Sequence, residues 1–404
     1  MNTIVMKFGG TSVAGTEKIR NIADIVIKEV KNNKIIVVLS AMAGETNKLQ
    51  SYLDNFGSQY SLESDLVLTS GEQVTIGLLS AELKNKGINS IPLLGWQIPI
   101  ITDDSHEKAK ILHIDNKRIE KFFETNDVIV LAGFQGISLD GEITSLGRGG
   151  SDTTAVAIAS SVGAERCDIY TDVDGIYTAD PRMVPKAKKL VKISYEEMLE
   201  MASQGAKVLQ TRSVALAMKY KLKINVLSSF ENKQGTFVVD EEEIMEKNIV
   251  SGIAFSLEEA KLTVVGLPDK PGQASKLFSS LSSKAINVDM IVQSSSVDLS
   301  ATDLSFTVSK SELKDSLRIM NTVQNDIGFE KIITDNDVAK ISVIGIGMKS
   351  QSGVAQKMFD TLAEKSINLK VISTSEIKIS VLIDAAYMEL AARALHTAFD
   401  LDMK

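Results

Sequence analysis

Residues 128–171 read VIVLAGFQGISLDGEITSLGRGGSDTTAVAIASSVGAERCDIYT. The run opens on an apolar strand, Val128–Leu131, and crosses a glycine-rich stretch from Gly133 to Gly150. It then predicts a helix over about Thr153–Val162 and a second strand at Asp168–Tyr170. Strands written as continuous apolar runs and joined by helices belong to a largely parallel sheet covered on both faces. The same alternation extends toward the N-terminus. Ile4–Met6 is a strand, Thr16–Val30 carries a helix pattern, and Ile35–Leu39 is a strand again. The first half is therefore predicted as α/β, a mainly parallel sheet sandwiched by helices.

The 404 residues fit two or three domains at the usual length of about 150 residues each. With 44% hydrophobic and 24% charged residues the chain can bury a sizeable core. The net charge of −8 argues against nucleic acid or an anionic membrane surface as a partner. Cys167 is the single cysteine, which excludes an internal disulfide and fits a reducing compartment. The sequence opens directly on a strand, without a charged-then-apolar leader, and has no apolar stretch near the roughly 20 residues that span a bilayer. A soluble cytoplasmic location is expected.

Three motifs carry chemistry. In Lys7-Phe8-Gly9-Gly10-Thr11-Ser12 a strand ends on a lysine two residues before paired glycines. Exposed backbone N–H groups and a point charge make such a turn a phosphate cradle, although an ordinary strand-to-helix turn has the same look. It is not a P-loop, and the protein-kinase signatures are missing. Leu146–Thr154 packs Gly147, Gly149 and Gly150 around Arg148, with Ser151, Asp152 and Thr153 opening a helix. The arginine fork suits a carboxylate, and the helix start suits phosphoryl oxygens. Tyr170–Arg182 follows a strand whose carboxyl end is where α/β sheets bind nucleotides. Its aspartates lack the EF-hand spacing, and Asp174-Gly175 makes a turn in either case.

Glu72, in Thr69–Gln73 at a helix start, meets a substrate ammonium or merely favours the helix dipole. Ser40–Asn47 ends a strand. His106, His113 and His396 lie outside every motif. That suits an acceptor already ionised at neutral pH, such as a carboxylate, which needs no general base. No His or Cys cluster offers a transition-metal site, so no protein-held metal is expected and Mg2+ would arrive on the nucleotide.

Beyond an acidic run at Asp240–Glu243 the sequence repeats itself. Gly272, Ala274, Phe278, Leu281 and Lys284 recur as Gly353, Ala355, Phe359, Leu362 and Lys365, and Ile286-Asn287-Val288 recurs as Ile367-Asn368-Leu369. Each copy reads as a small α/β sandwich of roughly 70–80 residues, at the low end of domain size.

Taken in order, Lys7–Ser12, Ser40–Asn47, Leu68–Thr75, Gly133–Gly136, Leu146–Thr154, Tyr170–Arg182 and Gly205–Arg212 resemble the aspartate kinase family over nearly the whole chain, and the repeat resembles a pair of ACT domains. The resemblance implies the amino-acid-kinase, carbamate-kinase-like fold followed by two ferredoxin-type βαββαβ modules. It implies a catalytic domain over 1–245, a first ACT domain over 262–336, and a second built from 248–261 plus 337–404. It implies ATP with Mg2+ and L-aspartate as substrates, with Lys7 and Asp152 catalytic. Lys7, Phe8, Gly9, Gly10, Thr171, Asp172, Tyr177, Arg182, Lys207 and Val208 would hold the nucleotide. Thr46, Glu72, Arg148, Gly149, Gly150 and Ser151 would hold the amino acid. Lysine, threonine or both would act at Asp269, Gln293, Met348 and Ser350, in a homo-oligomer, at least a dimer, formed through the ACT domains. Two other readings remain open: a kinase of another amino acid on the same fold, such as glutamate, and a non-catalytic amino-acid sensor.

Overall fold

The computed structural model describes residues 2–56, 61–204, 208–244, 248–295 and 301–403. It divides into two compact units: Met1–Ile176 with Lys189–Ala202 and Lys207–Glu246, and Tyr177–Lys188 with Ser203–Ala206 and Lys247–Lys404.

The first unit contains, in chain order, β1 (Asn2–Phe8), α1 (Thr16–Val30), β2 (Asn33–Leu39), α2 (Glu45–Asp54), α3 (Ser61–Leu68), α4 (Ser70–Asn85), β3 (Ser90–Leu93), β4 (Ile100–Thr102), β5 (Ile111–Ile114) and α5 (Asn116–Phe122). It continues through β6 (Val128–Ala132), β7 (Gln135–Ser138), β8 (Ile143–Ser145), α6 (Gly150–Ser161), β9 (Arg166–Thr171), β10 (Lys192–Ser194), α7 (Tyr195–Ser203), α8 (Thr211–Tyr220), β11 (Ile224–Ser228) and β12 (Thr236–Val239). Eight strands form the main sheet in the order β10-β12-β11-β9-β1-β2-β6-β3. All its pairings are parallel except β11 with β12.

The apolar runs explain the layers. Ile35–Leu39 and Val128–Ala132 are buried at every position, as strands covered on both faces must be. From β1 the chain first places β2, the edge strand β3 and then β6 on one side, and crosses back to β9 and β11 on the other. The strand order thus reverses at β1, and the carboxyl ends of strands flanking such a reversal form the crevice where α/β sheets bind ligands. Helix α6, buried from Gly150 to Ala159, packs on β1, β2 and β9 and starts at that crevice. A second sheet, β5-β4-β7-β8, joins β7 and β8 from the glycine-rich stretch to β4 and β5 from earlier in the chain.

In the second unit β13 (Gly252–Ser256) precedes one complete module. That module is β14 (Glu259–Pro268), α9 (Gln273–Ser282), β15 (Asp289–Ser295), β16 (Ala301–Ser309), α10 (Leu313–Ile327) and β17 (Lys331–Asp335). The other module runs β18 (Val338–Ile344), α11 (Val354–Glu364), β19 (Val371–Thr374), β20 (Lys378–Asp384) and α12 (Met388–Ala398). Their antiparallel sheets have matching orders, β15-β16-β14-β17 and β19-β20-β18-β13. The edge place held by β17 in one is held in the other by β13, which comes from before the first module.

One segment departs from the simple division of the sequence. Tyr177–Lys188 lies within the stretch read as catalytic, yet it packs with the second unit. Its apolar residues are the reason: Ala179 and Val184 are buried in the same core as Ile341, Met358 and Leu395. Among the described residues no helix is long and apolar enough to cross a membrane.

Candidate active site

The crevice collects the sequence motifs of the first unit at the carboxyl ends of β1, β2, β6 and β9 and at the amino ends of α4 and α6. Lys7, in register with Val38 and Ile169 on its neighbours, turns its Nζ to within 2.5 Å of Asp152 Oδ1 in the first turn of α6. Both side chains are about nine-tenths buried (12% and 10% exposed), so the ion pair is shielded from solvent. Phe8 stacks on Tyr170 with ring centroids 4.5 Å apart and fixes the end of β1 against β9. Gly10 must be glycine for space, since a Cβ there would stand 2.9 Å from the Ala41 carbonyl oxygen. Its own carbonyl accepts from the Ala43 N–H at 3.0 Å, which ties the two strand-end loops together.

Glu72 is a strongly perturbed group of the crevice. It is 3% exposed, and its Oε1 accepts from the Ala41 N–H at 3.0 Å. Its Oε2 is buried without a hydrogen-bond partner among the described residues. Burial pushes the carboxyl up to about 8, only partly offset by the Ala41 hydrogen bond. A buried acceptor left open in this way fits an incoming cationic donor such as an ammonium. Arg148, by contrast, is exposed and forms no hydrogen bond or ion pair among the described residues, which leaves its guanidinium fork open to a carboxylate. Gly149, Gly150, Ser151 and Asp152 lead directly from it into α6, whose N-terminal end favours anions through its dipole.

Thr171 ends β9, and its hydroxyl donates to the exposed Asp172. Thr46 sits exposed in the first turn of α2, and Val208 lies half-buried ahead of α8. Tyr177 and Arg182 belong to the segment that packs with the second unit; Arg182 pairs with Asp180 at 2.7 Å. Lys207 and the side chain of Ser350 lie outside the described residues.

Sequence reasoning missed several groups. Ser229, just past β11, bonds to the Ser12 hydroxyl at 2.6 Å and donates its N–H to the Thr171 carbonyl, so a fifth strand end joins the crevice. The Ser228-Ser229 pair after an apolar strand was the available signal. Two histidines outside every motif in sequence lie close to motifs in space. His396 Nε2 lies 2.9 Å from Thr178 Oγ1 in the second unit, and His106 sits behind the Gly147 loop.

The residues proposed for regulation lie in the second unit. Asp269 is exposed after β14, and Gln293 on β15 donates to Thr302, the partner of Leu267 on β14, so both lie at one end of the first module's sheet. Met348 lines a cavity of about 510 Å³ with Lys349, Gln351, Thr374 and Glu376 in the other module.

Residues 2–228 match the amino acid kinase family, and residues 262–324 and 341–399 match the ACT domain. An aspartate kinase of Pseudomonas putida is 50% identical over 405 residues, covering 100% of this chain and 98% of its own. Among solved structures, the aspartate kinase of Synechocystis is 38% identical with a TM-score of 0.54, covering 98% of this chain and 69% of its own. E. coli aspartokinase III, solved in complex with lysine and aspartate, is 25% identical with a TM-score of 0.77, covering 98% of this chain and 99% of its own. This chain belongs to the amino acid kinase family, within its aspartate kinases: it is a phosphotransferase with two ACT domains following the catalytic fold.

Proposed function

We propose that the enzyme transfers the γ-phosphoryl group of ATP to the side-chain carboxylate of L-aspartate. A carboxylate oxygen forms the new bond to phosphorus, the bond to the β-phosphate oxygen breaks, and ADP leaves with that electron pair. The products are ADP and 4-phospho-L-aspartate, the entry to lysine, threonine and methionine biosynthesis. No proton is removed from the nucleophile, so the work lies in positioning and in neutralising charge.

The observation that carries this reading is the shielded Lys7–Asp152 pair at the start of α6, between the Gly9-Gly10 turn and the Arg148 loop. Lys7 spans the phosphates with Phe8, Gly9 and Gly10 beside it, and Asp152 orients the lysine. Thr171, Asp172, Tyr177 and Arg182, together with Lys207 and Val208, hold the nucleotide, and Mg2+ enters as part of that substrate. Arg148, with Gly149, Gly150 and Ser151, clasps the α-carboxylate of aspartate. Glu72 takes its ammonium, and Thr46 closes the pocket. The unpartnered Glu72 Oε2 favours an amino acid over an acceptor without an amine.

Lysine, alone or with threonine, inhibits through Asp269 and Gln293 or through the Met348 and Ser350 loop. The E. coli relative solved with lysine bound supports this choice of effector. Association of two copies through the ACT modules is supported by the edge strand β17, where Ile333 is 50% exposed. The working domain limits are 1–245, 262–336, and 248–261 with 337–404.

The test is ADP release with a panel of acceptors, aspartate, glutamate and succinate, with and without lysine and threonine. Aspartate-dependent turnover is expected. Turnover on glutamate alone would reassign the acceptor, and none with any acceptor of the panel would overturn the proposed reaction.

A further inference from the structure

Asp65 on α3 is fully buried and surrounded by donors. His106 Nδ1 lies 2.8 Å from its Oδ2, the Glu107 N–H reaches both oxygens at 3.0 and 3.2 Å, and the Ser145 hydroxyl donates at 2.5 Å. The other ring nitrogen of His106 faces Glu142 Oε2 at 3.3 Å. Neutral imidazole can donate to only one carboxylate, whereas imidazolium donates to both. The two-sided arrangement therefore selects the charged ring.

What this cluster holds lies next to the substrate loop. Glu107 has φ +65°, a left-handed conformation that a residue with a side chain keeps only when it is held. Its carbonyl oxygen would stand 2.8 Å from a Cβ on Gly147, itself at φ +75°. Ser145 bonds Asp65 two residues before Gly147, and the Ala109 N–H donates to the Ser145 carbonyl at 2.9 Å. Arg212 clamps the same two segments, donating to the Leu146 and Ala109 carbonyls at 2.8 Å each. One buried carboxylate thus fixes both the backing and the approach of the turn that carries Arg148.

We propose that His106, charged between Asp65 and Glu142, is a positioning residue that sets the Arg148 clamp and makes acceptor binding depend on its protonation. This rests on Arg148 being the clamp for the acceptor's α-carboxylate. Burial lowers the His106 basicity, but the hydrogen bonds and charges of Asp65 and Glu142 reverse this and leave it above the usual histidine value. Asp103, Asp104, Glu107 and Lys108 share its loop, and Arg212 faces that loop through Ala109. As pH rises past the His106 value the second donor is lost, Glu142 is released, and the clamp loosens. The KM for aspartate should then rise, while Glu72 ionisation acts in the opposite direction.

The experiment compares wild type, His106→Asn, Glu142→Gln and Arg148→Lys, measuring KM for aspartate and for ATP from pH 6 to 9. Asparagine keeps a donor toward Asp65 without the charge. His106→Asn should raise the aspartate KM on the order of 10-fold at pH 6.5, leave the ATP KM within about twofold, and remove the alkaline rise in aspartate KM. Glu142→Gln, at an exposed position, should move that rise to lower pH, which keeps the test available if the asparagine variant does not fold. A Glu142→Gln profile superimposed on wild type overturns the proposal, as does an equal rise of both KM values in His106→Asn. If Arg148→Lys leaves the aspartate KM unchanged, the clamp assignment fails. If it raises that KM while His106→Asn does not, only the role of His106 fails.

Discussion

Glu72→Gln should make the ligand-free enzyme more stable and the working enzyme worse. Glutamine keeps the size of the side chain and the acceptor for the Ala41 N–H, and it replaces the unpartnered oxygen with an uncharged amide. In the wild type, burial raises this carboxyl from 4.5 to about 8. Below 4.5 it is neutral in both the folded and the unfolded chain, so the pocket bears no ionisation cost. Above 4.5 the unfolded chain gains by ionising while the folded one holds its proton. The penalty therefore grows until the pH passes the folded value near 8, and is constant beyond it. From 4.5 to 7, at about 1.4 kcal/mol per pH unit, it reaches roughly 3 kcal/mol. Thermal unfolding without ligand, at pH 5, 7 and 8.5, should show a Tm gap in favour of the variant that widens with pH. Adding aspartate and nucleotide should narrow it, because a bound ammonium restores the carboxylate only in the wild type. A gap of the same size at every pH would refute the reasoning, since it would mean that Glu72 does not titrate on folding.

Lys7→Ala should lower kcat on the order of 10²–10³-fold in a steady-state coupled assay, with the circular dichroism of the fold retained. Arg148→Lys keeps the charge but loses the fork, so the KM for aspartate should rise while that for ATP stays nearly unchanged. Asp269→Ala or Gln293→Ala should raise the lysine concentration needed for half-inhibition by about 5–150-fold, the usual span of allosteric coupling, with uninhibited turnover kept.

Much of this architecture is legible in the sequence because it is local. Thr16–Val30 shows its helix period without help from the fold, and its bounds in the structure are the same. The copies beginning at Gly272 and Gly353 declare the paired modules by repetition alone. Lys7 and Asp152 lie in motifs at a strand end and a helix start, whereas Glu72 at a helix start reads equally as a dipole residue, and only the fold shows its burial. The small sheet β5-β4-β7-β8 escapes because its strands have only three or four residues, too few to establish a period of two. α6 begins at Gly150, three residues before its reading from sequence, because tertiary packing overrides the low helix propensity of Gly, Ser and Asp. Asp65 and His106 are invisible for another reason: they lie 41 residues apart and come together only through that small sheet.

The placement of Tyr177–Lys188 bears on how such a protein can be taken apart or recombined. A fragment stopped near residue 243 would keep this segment while losing the core that shelters Ala179 and Val184, as well as the His396 ring that holds the Thr178 hydroxyl. It would carry an uncovered apolar strip, the kind of surface that drives aggregation. Exchange of the sensing half between relatives meets the same obstacle, since the graft has two seams. The replacement must bring its own counterpart of Tyr177–Lys188 or be matched to the one already present, and a chimera joined only near residue 245 would fail by insolubility before any question of catalysis arose.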